Sequence, residues 1–530
     1  MTVAALRVRL ARLQAESLLA AAAAGVGALG VFSALTPELA SRLDLVRAVV
    51  PAAVPNAARL ATLAFGLALL GLARSLAGRR RRAWQLATAL VLGIALAHLV
   101  KGLDVEEALV SLALLIALLR YRARFQIPGD PAARRPLLAT AIMVAGAGGI
   151  AFALATRGAL PDRLESTLVA GGLVLGLWAL WLWLRPLSEH VLQSIEERRL
   201  VRELVGSYGN DSLAFFALRH DKSYFFSASG RAFLAYRVLG TIALVSGDPV
   251  GDEDDFASLL SEFAHYVHRS GWRVALLGVS RRHLGLYRRL DLRPIKLGEE
   301  AVLRPEHFSL EGRAIRKVRQ AWQHLERAGC SFAVSAADAL SPEKRREIEA
   351  ISQAWLDGKP ERGFSMTIDD LFTPETILAV CLDPSGKPLG FLHLVPCAGG
   401  RCYSLSTMRR LPEAPNGATE FLVVETLAWA RRHGVEELSL NFCAFRSLLA
   451  EEGREIPRRA ARRLLLTFDG VFQLERLHLF SRKFLPEWRP RYVCVERIGD
   501  VPAVGIAYLR AESLIAPPRR RLRRRSPVAG

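Results

Sequence analysis

Thiols and carboxylates are scarce in this sequence. Its 530 residues include six Cys, all after position 329, and four Met. So few thiols, with no CxxC pair, exclude a secreted disulfide scaffold. Cys397 and Cys402 lack His or Cys companions at zinc spacing, so no metal is assigned and no cofactor is expected. Acidic residues number 51 against 71 Lys and Arg, a formal charge of +20. The GxxxxGK[ST] phosphate loop, the GxSxG elbow and HExxH are all missing, which argues against direct ATP use, a serine-hydrolase elbow and a zincin site. An apolar share of 51% excludes disorder as the main character. Mean hydropathy is +0.21, high for so basic a chain, so apolar and basic residues must occupy different places. The length allows roughly three to four compact units.

The apolar residues gather in the first third. Six stretches stand out: Ser17–Leu35, Leu60–Leu72, Trp84–Val100, Ala108–Leu119, Leu137–Ala155 and Ser166–Leu184. A spanning helix takes about 20 mainly apolar residues, so the second and fourth must extend past Arg59 and Glu107. Basic clusters precede the first stretch (Arg7, Arg9, Arg12), separate the second from the third (Arg79–Arg82) and the fourth from the fifth (Arg120–Arg124, Arg134, Arg135), and follow the sixth (Arg198, Arg199, Arg202). Six spans with a cytoplasmic N-terminus place every cluster inside, whereas four break the agreement. The sequence therefore predicts a six-span domain over 1–185 in the plasma (inner) membrane. His98 reads as a helix-end histidine rather than part of a transport path, and Gly146-Ala147-Gly148-Gly149 as helix packing.

An even number of spans leaves the rest in the cytoplasm. Residues 186–206 read as a linker helix, and two α/β regions follow over 207–330 and 331–515, with a basic tail over 516–530. One layout runs twice. The first copy has a hairpin of Tyr224–Phe226 and Ala232–Val238, a strand Thr241–Val245, the loop Gly247–Gly251, a helix to Ser270 and a strand Val274–Val279. The second has Leu378–Leu382, Leu389–Val395, Tyr403–Thr407, the loop Pro412–Gly417, a helix Thr419–His433 and a strand Glu437–Phe442. The turn glycines Gly230 and Gly386, and the helix-stop glycines Gly271 and Gly434, lie 156 and 163 residues apart. Residue identity between the copies is poor, so duplication stands beside the alternative of two unrelated halves. A strand feeding a helix N-terminus suits a carbonyl, phosphate or ester at the intervening loop.

Polar residues concentrate in Ser246–Gly251, Gly363–Thr367, Met408–Glu420, Ser439–Arg446 (SLNFCAFR) and Phe480–Tyr492 (FSRKFLPEWRPRY). In this order they resemble the C-terminal catalytic domain of the lysylphosphatidylglycerol synthases, the family of the multiple peptide resistance factor. The likeness covers about residues 200–510. It is carried by the hairpin Asp221–Val238 with GDPVG, the MRR…APNG…E run and the closing KFLPEWRPRY of Lys483–Tyr492. The resemblance implies an α-helical membrane bundle followed by two tandem acetyltransferase-like (GNAT) folds. It also implies transfer of an aminoacyl group, lysyl first among candidates, from charged tRNA to the glycerol headgroup of phosphatidylglycerol, lowering attraction for cationic antimicrobial peptides. An Arg/Gln-x-x-Gly-x-Gly/Ala coenzyme-A loop is not found, which fits a tRNA donor. Lipid flipping and a fused tRNA synthetase are not expected. Two alternatives stay open: a tRNA-dependent transferase with another lipid or a peptidoglycan precursor as acceptor, and a non-enzymatic lipid- or RNA-binding membrane protein.

Candidate residues follow from chemistry and resemblance together. Glu420 is the candidate for the ammonium of a cationic amino acid, and Asn441 and Arg446 for polarising the scissile ester. Arg409 and Arg410 suit a lipid phosphate through bidentate guanidinium bonds. Lys483, Arg491 and Tyr492 belong to the closing motif and suit phosphate, while Trp488 packs. Asn416 and Glu420 either cap the second-copy helix or bind substrate. Asp248 either orients a substrate group or closes its own Gly-Asp-Pro turn, the turn being favoured. Arg313, Arg316 and Lys317 share a helix face that either holds tRNA phosphates or is simply solvated. The arginine run 519–525 attracts anionic lipid or RNA, or is a plain tail. His393 reads as a core histidine.

Overall fold

A computed structural model describes residues 3–36, 53–102, 104–125, 127, 193–358, 363–364, 366–444 and 477–513, with isolated positions between 138 and 183. The chain divides into two compact units, 1–188 with His268–Trp272, and the remainder from Glu189.

The first unit contains α1 (Val3–Leu35), α2 (Ala53–Ala77), α3 (Arg81–Gly102) and α4 (Val105–Arg120). Ser17–Leu35 and Arg81–Leu99 are long and apolar enough to cross a membrane, and Ala61–Ala73 is a shorter apolar stretch. Ala23, Ala83 and Ala87 are fully buried beside Leu69, Leu76 and Ile94, and a Cβ on Gly27 would stand 2.8 Å from the Gly66 carbonyl oxygen, so α1 and α2 approach closely there. Leu96, Leu109 and Ile116 point outward and are more than half exposed. Close helix approach at glycine with large apolar residues turned outward suits helices that pack against one another in lipid. Membrane association follows from this pattern. All but a few residues of Leu137–Ala155 and Ser166–Leu184, and the Gly146–Gly149 run, lie outside the described residues. His98 is buried, its ring within 4.8 Å of the Asp104 and Glu107 carboxylates.

The first described helix of the second unit is α5 (Ile195–Tyr208); residues 186–192 of the linker helix expected over 186–206 lie outside the described residues. Its start is set by a capping box, Ser194 accepting from the Glu197 N–H while the Glu197 carboxylate accepts from that of Ser194. A 12-stranded sheet follows: β1 (Ser223–Phe226), β2 (Ala232–Leu239), β3 (Ile242–Ser246), β4 (Val250–Gly251), β5 (Arg273–Val279), β6 (Arg293–Leu303), β7 (Ser331–Ala336), β8 (Ile377–Leu382), β9 (Pro388–Cys397), β10 (Cys402–Arg410), β11 (Glu437–Ala444) and β12 (Glu487–Val495). The helices are α6 (Phe256–Arg269), α7 (Leu284–Arg289), α8 (Arg316–Arg327), α9 (Pro342–Leu356), α10 (Ala418–Arg432) and α11 (Val501–Ala511). Strands such as β3 (IALVS) are apolar up to their terminal Ser246 and wholly buried, as sheets covered on both faces require.

The repeated layout is real in the backbone. β1, β2 and β3 pair antiparallel in sequence, and β3 then pairs parallel with β5 across α6. β8, β9 and β10 do the same, and β10 pairs parallel with β11 across α10. The strand order through the centre is β5-β12-β6-β11. Exchanging β5 with β11 and β6 with β12 returns the same order read from the other end, so an approximate two-fold relation runs between β6 and β12. Each copy's last strand lies beside the other copy's parallel strand. One copy therefore cannot be lifted from the other without breaking the sheet. Pro490 sits in β12 next to a register shift at Arg491/Tyr492, where a missing N–H is tolerated.

Candidate active site

Because side chains alternate along a strand, the seam between the copies presents one polar row per strand. Glu437 and Ser439 come from β11, Glu300 and Val302 from β6, and Glu487, Arg489 and Arg491 from β12. Their neighbours Leu438, Leu440, Ala301, Leu303 and Trp488 join the apolar core instead. With the loop that opens at Ser246, this row lines a cavity of about 670 Å³.

Arg491 organises the seam. Its Nε and Nη2 donate to Glu300 Oε2 at 2.9 and 2.5 Å, Nη1 to Asp211 Oδ2 at 2.7 Å, and Nη2 to Ser212 Oγ at 2.8 Å. Glu300 Oε1 accepts from Ser212 and Ser439 hydroxyls at 2.5 and 2.6 Å. Burial alone would push Glu300 up; the Arg491 charge and these hydroxyls outweigh it and hold the carboxyl below its ordinary value. Burial likewise opposes the Arg491 charge, and Asp211 and Glu300 more than restore it. Beside it, Arg489 forks onto Glu437 at 2.7 and 2.6 Å, which keeps its guanidinium firmly charged. Among the described residues the cavity wall carries seven carboxylates and four arginines, an acidic lining in a chain of charge +20.

Asp248 opens onto this cavity. One carboxylate oxygen accepts from the Ser280 N–H at 2.9 Å and the other from the Tyr287 hydroxyl. Burial and the nearby Asp211 raise its pKa, partly offset by those bonds. Asp248 thus ties the loop to Ser280 and to α7 while lining the cavity; its carboxylate bonds these distant partners rather than closing its own Gly-Asp-Pro turn as expected. Gly251 is required here: φ is +132°, and a Cβ would stand 2.2 Å from the Arg231 carbonyl oxygen.

The other expected residues are distributed more widely. Asn441 is buried at φ +69° and is not in the cavity wall; its amide donates to Leu405 and Met366 carbonyls at 2.9 and 3.2 Å, and its oxygen accepts from the Phe442 N–H. It holds β11 against β10. Glu420 and Lys483 bond to each other at 2.6 Å, joining two residues expected to bind different substrate groups. The N-cap of α10 is Gly417, with no side-chain cap, so Asn416, which is exposed, does not cap that helix. A Cβ on Gly417 would lie 2.9 Å from that of Ala321, so glycine there lets α8 and α10 approach. Arg409 is buried against the Ser352 hydroxyl of α9, and Arg410 donates to the Ala414 carbonyl at 3.0 Å. Arg316 and Lys317 are exposed on the first turn of α8, whereas Arg313 is exposed in the bend before it, so the three do not share the helix face expected. Tyr492 is half-buried beside the register shift. Arg446 and the basic tail lie outside the described residues. His393 is buried against Thr376 (2.9 Å) and burial pushes it down to about 3, so it is a neutral core histidine at physiological pH.

Sequence reasoning missed Asp211, Ser212, Glu300, Arg489 and Lys222. Arg489 was within reach, being two residues before Arg491 and hence on the same face of β12. Glu300 follows Glu299 just before the apolar strand end Ala301–Leu303, a weaker signal. Lys222 gave none. It is wholly buried, donating to the Phe216 carbonyl at 2.7 Å and the Ser246 hydroxyl at 2.8 Å, with its ammonium 4.8 Å from the centre of the Phe364 ring. Burial, opposed by Asp221, pushes it down to about 7. Through Ser246 it anchors the strand end from which the Asp248 loop departs.

Residues 202–495 match the family described as phosphatidylglycerol lysyltransferase, C-terminal. The chain is 33% identical over 506 residues to the lysylphosphatidylglycerol biosynthesis bifunctional protein LysX of Mycolicibacterium gilvum, covering 86% of this chain and 45% of that protein. It is 36% identical over 348 residues to the protein of the same description from Mycobacterium tuberculosis (strain ATCC 25618 / H37Rv), covering 64% and 29%. The chain thus spans less than half the length of these curated relatives. Among solved structures, the C-terminal domain of a putative lysylphosphatidylglycerol synthetase from Agrobacterium fabrum superposes with a TM-score of 0.52 at 26% identity, covering 61% of this chain and 98% of that one. L-PGS from Bacillus licheniformis superposes at 0.54 and 24% identity, covering 62% and 99%, a likeness of fold.

Proposed function

The chain belongs to the phosphatidylglycerol lysyltransferase C-terminal family, and on that premise we propose that it moves an aminoacyl group, lysyl first among candidates, from charged tRNA to phosphatidylglycerol. The observation that carries the reading is the acid-lined cavity at the seam of the two copies, in a chain otherwise strongly basic. A basic exterior draws in a polyanionic tRNA and an anionic lipid; an acidic interior suits the ammonium groups of the lysyl moiety.

In this reading the free glycerol hydroxyl attacks the aminoacyl ester carbonyl, a new ester C–O bond forms, and the tRNA ribose hydroxyl leaves with a proton. One ester replaces another, so the step is close to balanced in free energy and rests on positioning. Arg489 and Arg491, held charged by their carboxylate partners, would face the negative charge that develops on the ester oxygen. Asp248, with its raised pKa, would take or return a proton. Asn441 acts as a positioning residue, and the Glu420–Lys483 pair can open to offer a carboxylate to ammonium and an ammonium to phosphate. Arg409 and Arg410 brace the second copy, and Arg313, Arg316 and Lys317 offer phosphate contacts. Each copy would be an acetyltransferase-type fold. The apolar helices would be part of a multi-pass plasma-membrane domain, with the α/β unit on the cytoplasmic side where charged tRNA is found. The aminoacylated headgroup would weaken attraction for cationic antimicrobial peptides.

The test is expression in a host lacking aminoacylated lipids, followed by mass spectrometry of lipid extracts. Lysyl-phosphatidylglycerol is the expected product, and ribonuclease treatment of a membrane assay should abolish its formation. An inserted, folded protein that yields no new lipid would overturn the reading, and an aminoacylated non-lipid product would redirect it to another acceptor.

A further inference from the structure

Two thiols stand in the cavity wall without a role in the transfer just described. Cys397 ends β9 and Cys402 begins β10, and the antiparallel register sets them directly opposite one another. Opposed residues in antiparallel strands have Cα atoms about 4.5–5.5 Å apart, inside the 4.4–6.8 Å range that a disulfide spans without backbone movement. The intervening turn is already tight: Ala398, Gly399 and Gly400 all have positive φ. It is fixed from outside by the Ala398 N–H donating to the Gly209 carbonyl at 2.9 Å. The two side chains are also unequal. Cys402 is half-buried and Cys397 is buried; both are free thiols.

We propose that Cys397 and Cys402 form an oxidative modification site, a dithiol that a peroxide converts reversibly to a disulfide within the cavity wall. Electrostatics assigns the roles. The thiol hydrogen bond between the pair lowers Cys402 and raises Cys397, and burial with the nearby Asp211 and Glu300 carboxylates raises Cys397 further. Cys402 is the more acidic and the less buried of the two, so it is the one that attacks, in its thiolate form. Its attack on hydrogen peroxide breaks the O–O bond, leaving a sulfenic acid and a hydroxide that takes up a proton. Cys397 sulfur then attacks the Cys402 sulfur, the S–O bond breaks, and the departing hydroxide takes the Cys397 proton as water. Two thiols and one peroxide give one disulfide and two waters. The other adjacent thiols, Cys330 and Cys381, differ on both counts: Phe332, not Cys330, faces Cys381, and burial raises both.

The test uses full-length protein in detergent, treated with hydrogen peroxide, alkylated and digested with trypsin. Cleavage after Arg401 places the two cysteines on separate peptides, so the cross-link reads as a joined pair. The joined pair is expected to accumulate with peroxide and to vanish with dithiothreitol. In Cys397→Ser, dimedone should instead tag Cys402 as its sulfenic acid. Full alkylation of both cysteines after a peroxide dose that oxidises a free model thiol would overturn the proposal. So would a dimedone tag appearing on Cys397 in Cys402→Ser while Cys402 in Cys397→Ser stays untagged.

Discussion

Arg491 on β12 and Glu300 on β6 meet through two hydrogen bonds across 191 residues of sequence, and both are buried. Each belongs to a different copy of the repeated layout, so the pair locks the exchanged strands together. Removing one partner of a buried ion pair leaves a charge unanswered and costs about 3–5 kcal/mol. Glu300→Ala is expected to lose stability on that scale in denaturant unfolding of detergent-solubilised protein, and to lose lipid product. Arg491→Lys keeps the charge but not the fork, so it should fall between the wild type and Glu300→Ala. A Glu300→Ala protein within about 1 kcal/mol of wild type would show that the seam does not depend on this pair.

Asn441 occupies the left-handed region at φ +69° while its amide joins β11 to two carbonyls on neighbouring segments. Asn tolerates that backbone and Gly adopts it freely, whereas a β-branched residue is strained by about 1–3 kcal/mol. Stability should therefore fall in the order Asn441, Asn441→Gly, Asn441→Ala, Asn441→Val, with thermal unfolding as the readout. If the valine variant equals the glycine variant, the backbone constraint is not the controlling term.

Lys222 sets a pH dependence of known sign. Its folded value lies near 7 and its ordinary value near 10.5. Between those limits the unfolded chain holds a proton that the folded chain has released, so stability rises with pH, by at most about 1.4 kcal/mol per unit. Below pH 7 both states are protonated and the burial penalty is present in full. Unfolding free energies at pH 7, 8 and 9 should show a rise in wild type that is smaller in Lys222→Met. Parallel curves for the two proteins would rule out a depressed Lys222.

Arg313, Arg316 and Lys317 are exposed, so replacing all three by Gln should leave stability within about 0.5 kcal/mol. If they touch tRNA phosphates, binding weakens for every tRNA alike, and the slope of log affinity against log salt shrinks by about 2. Filter-binding titrations across a salt series measure this. An unaltered slope would return the three to the solvated face.

Local pattern carried much of the architecture. Turn glycines, period-two strands and helix stops placed β1–β3, β5 and β8–β11 within a few residues, because those signals act over ten residues or fewer. Lys222 was invisible and Glu300 nearly so for the opposite reason: a charged residue reads as surface until the partners that neutralise it are known. The same holds for Glu420 and Lys483, credited with separate substrate groups yet bound to each other at 2.6 Å.

Sequence alone carried an apolar first third, an α/β pattern behind it that runs twice, and the family to which residues 202–495 belong. Only the tertiary structure decided that β6 and β12 change places between the copies, and therefore that Arg491 finds Glu300 and Asp211 in one acid-lined cavity. Strand order is a long-range choice: hydrogen-bonding edges are chemically alike from strand to strand, so the residues of one strand cannot specify its neighbour. Burial settles the matter, since a charge removed from water is tolerated only where the fold brings its counter-charge to meet it.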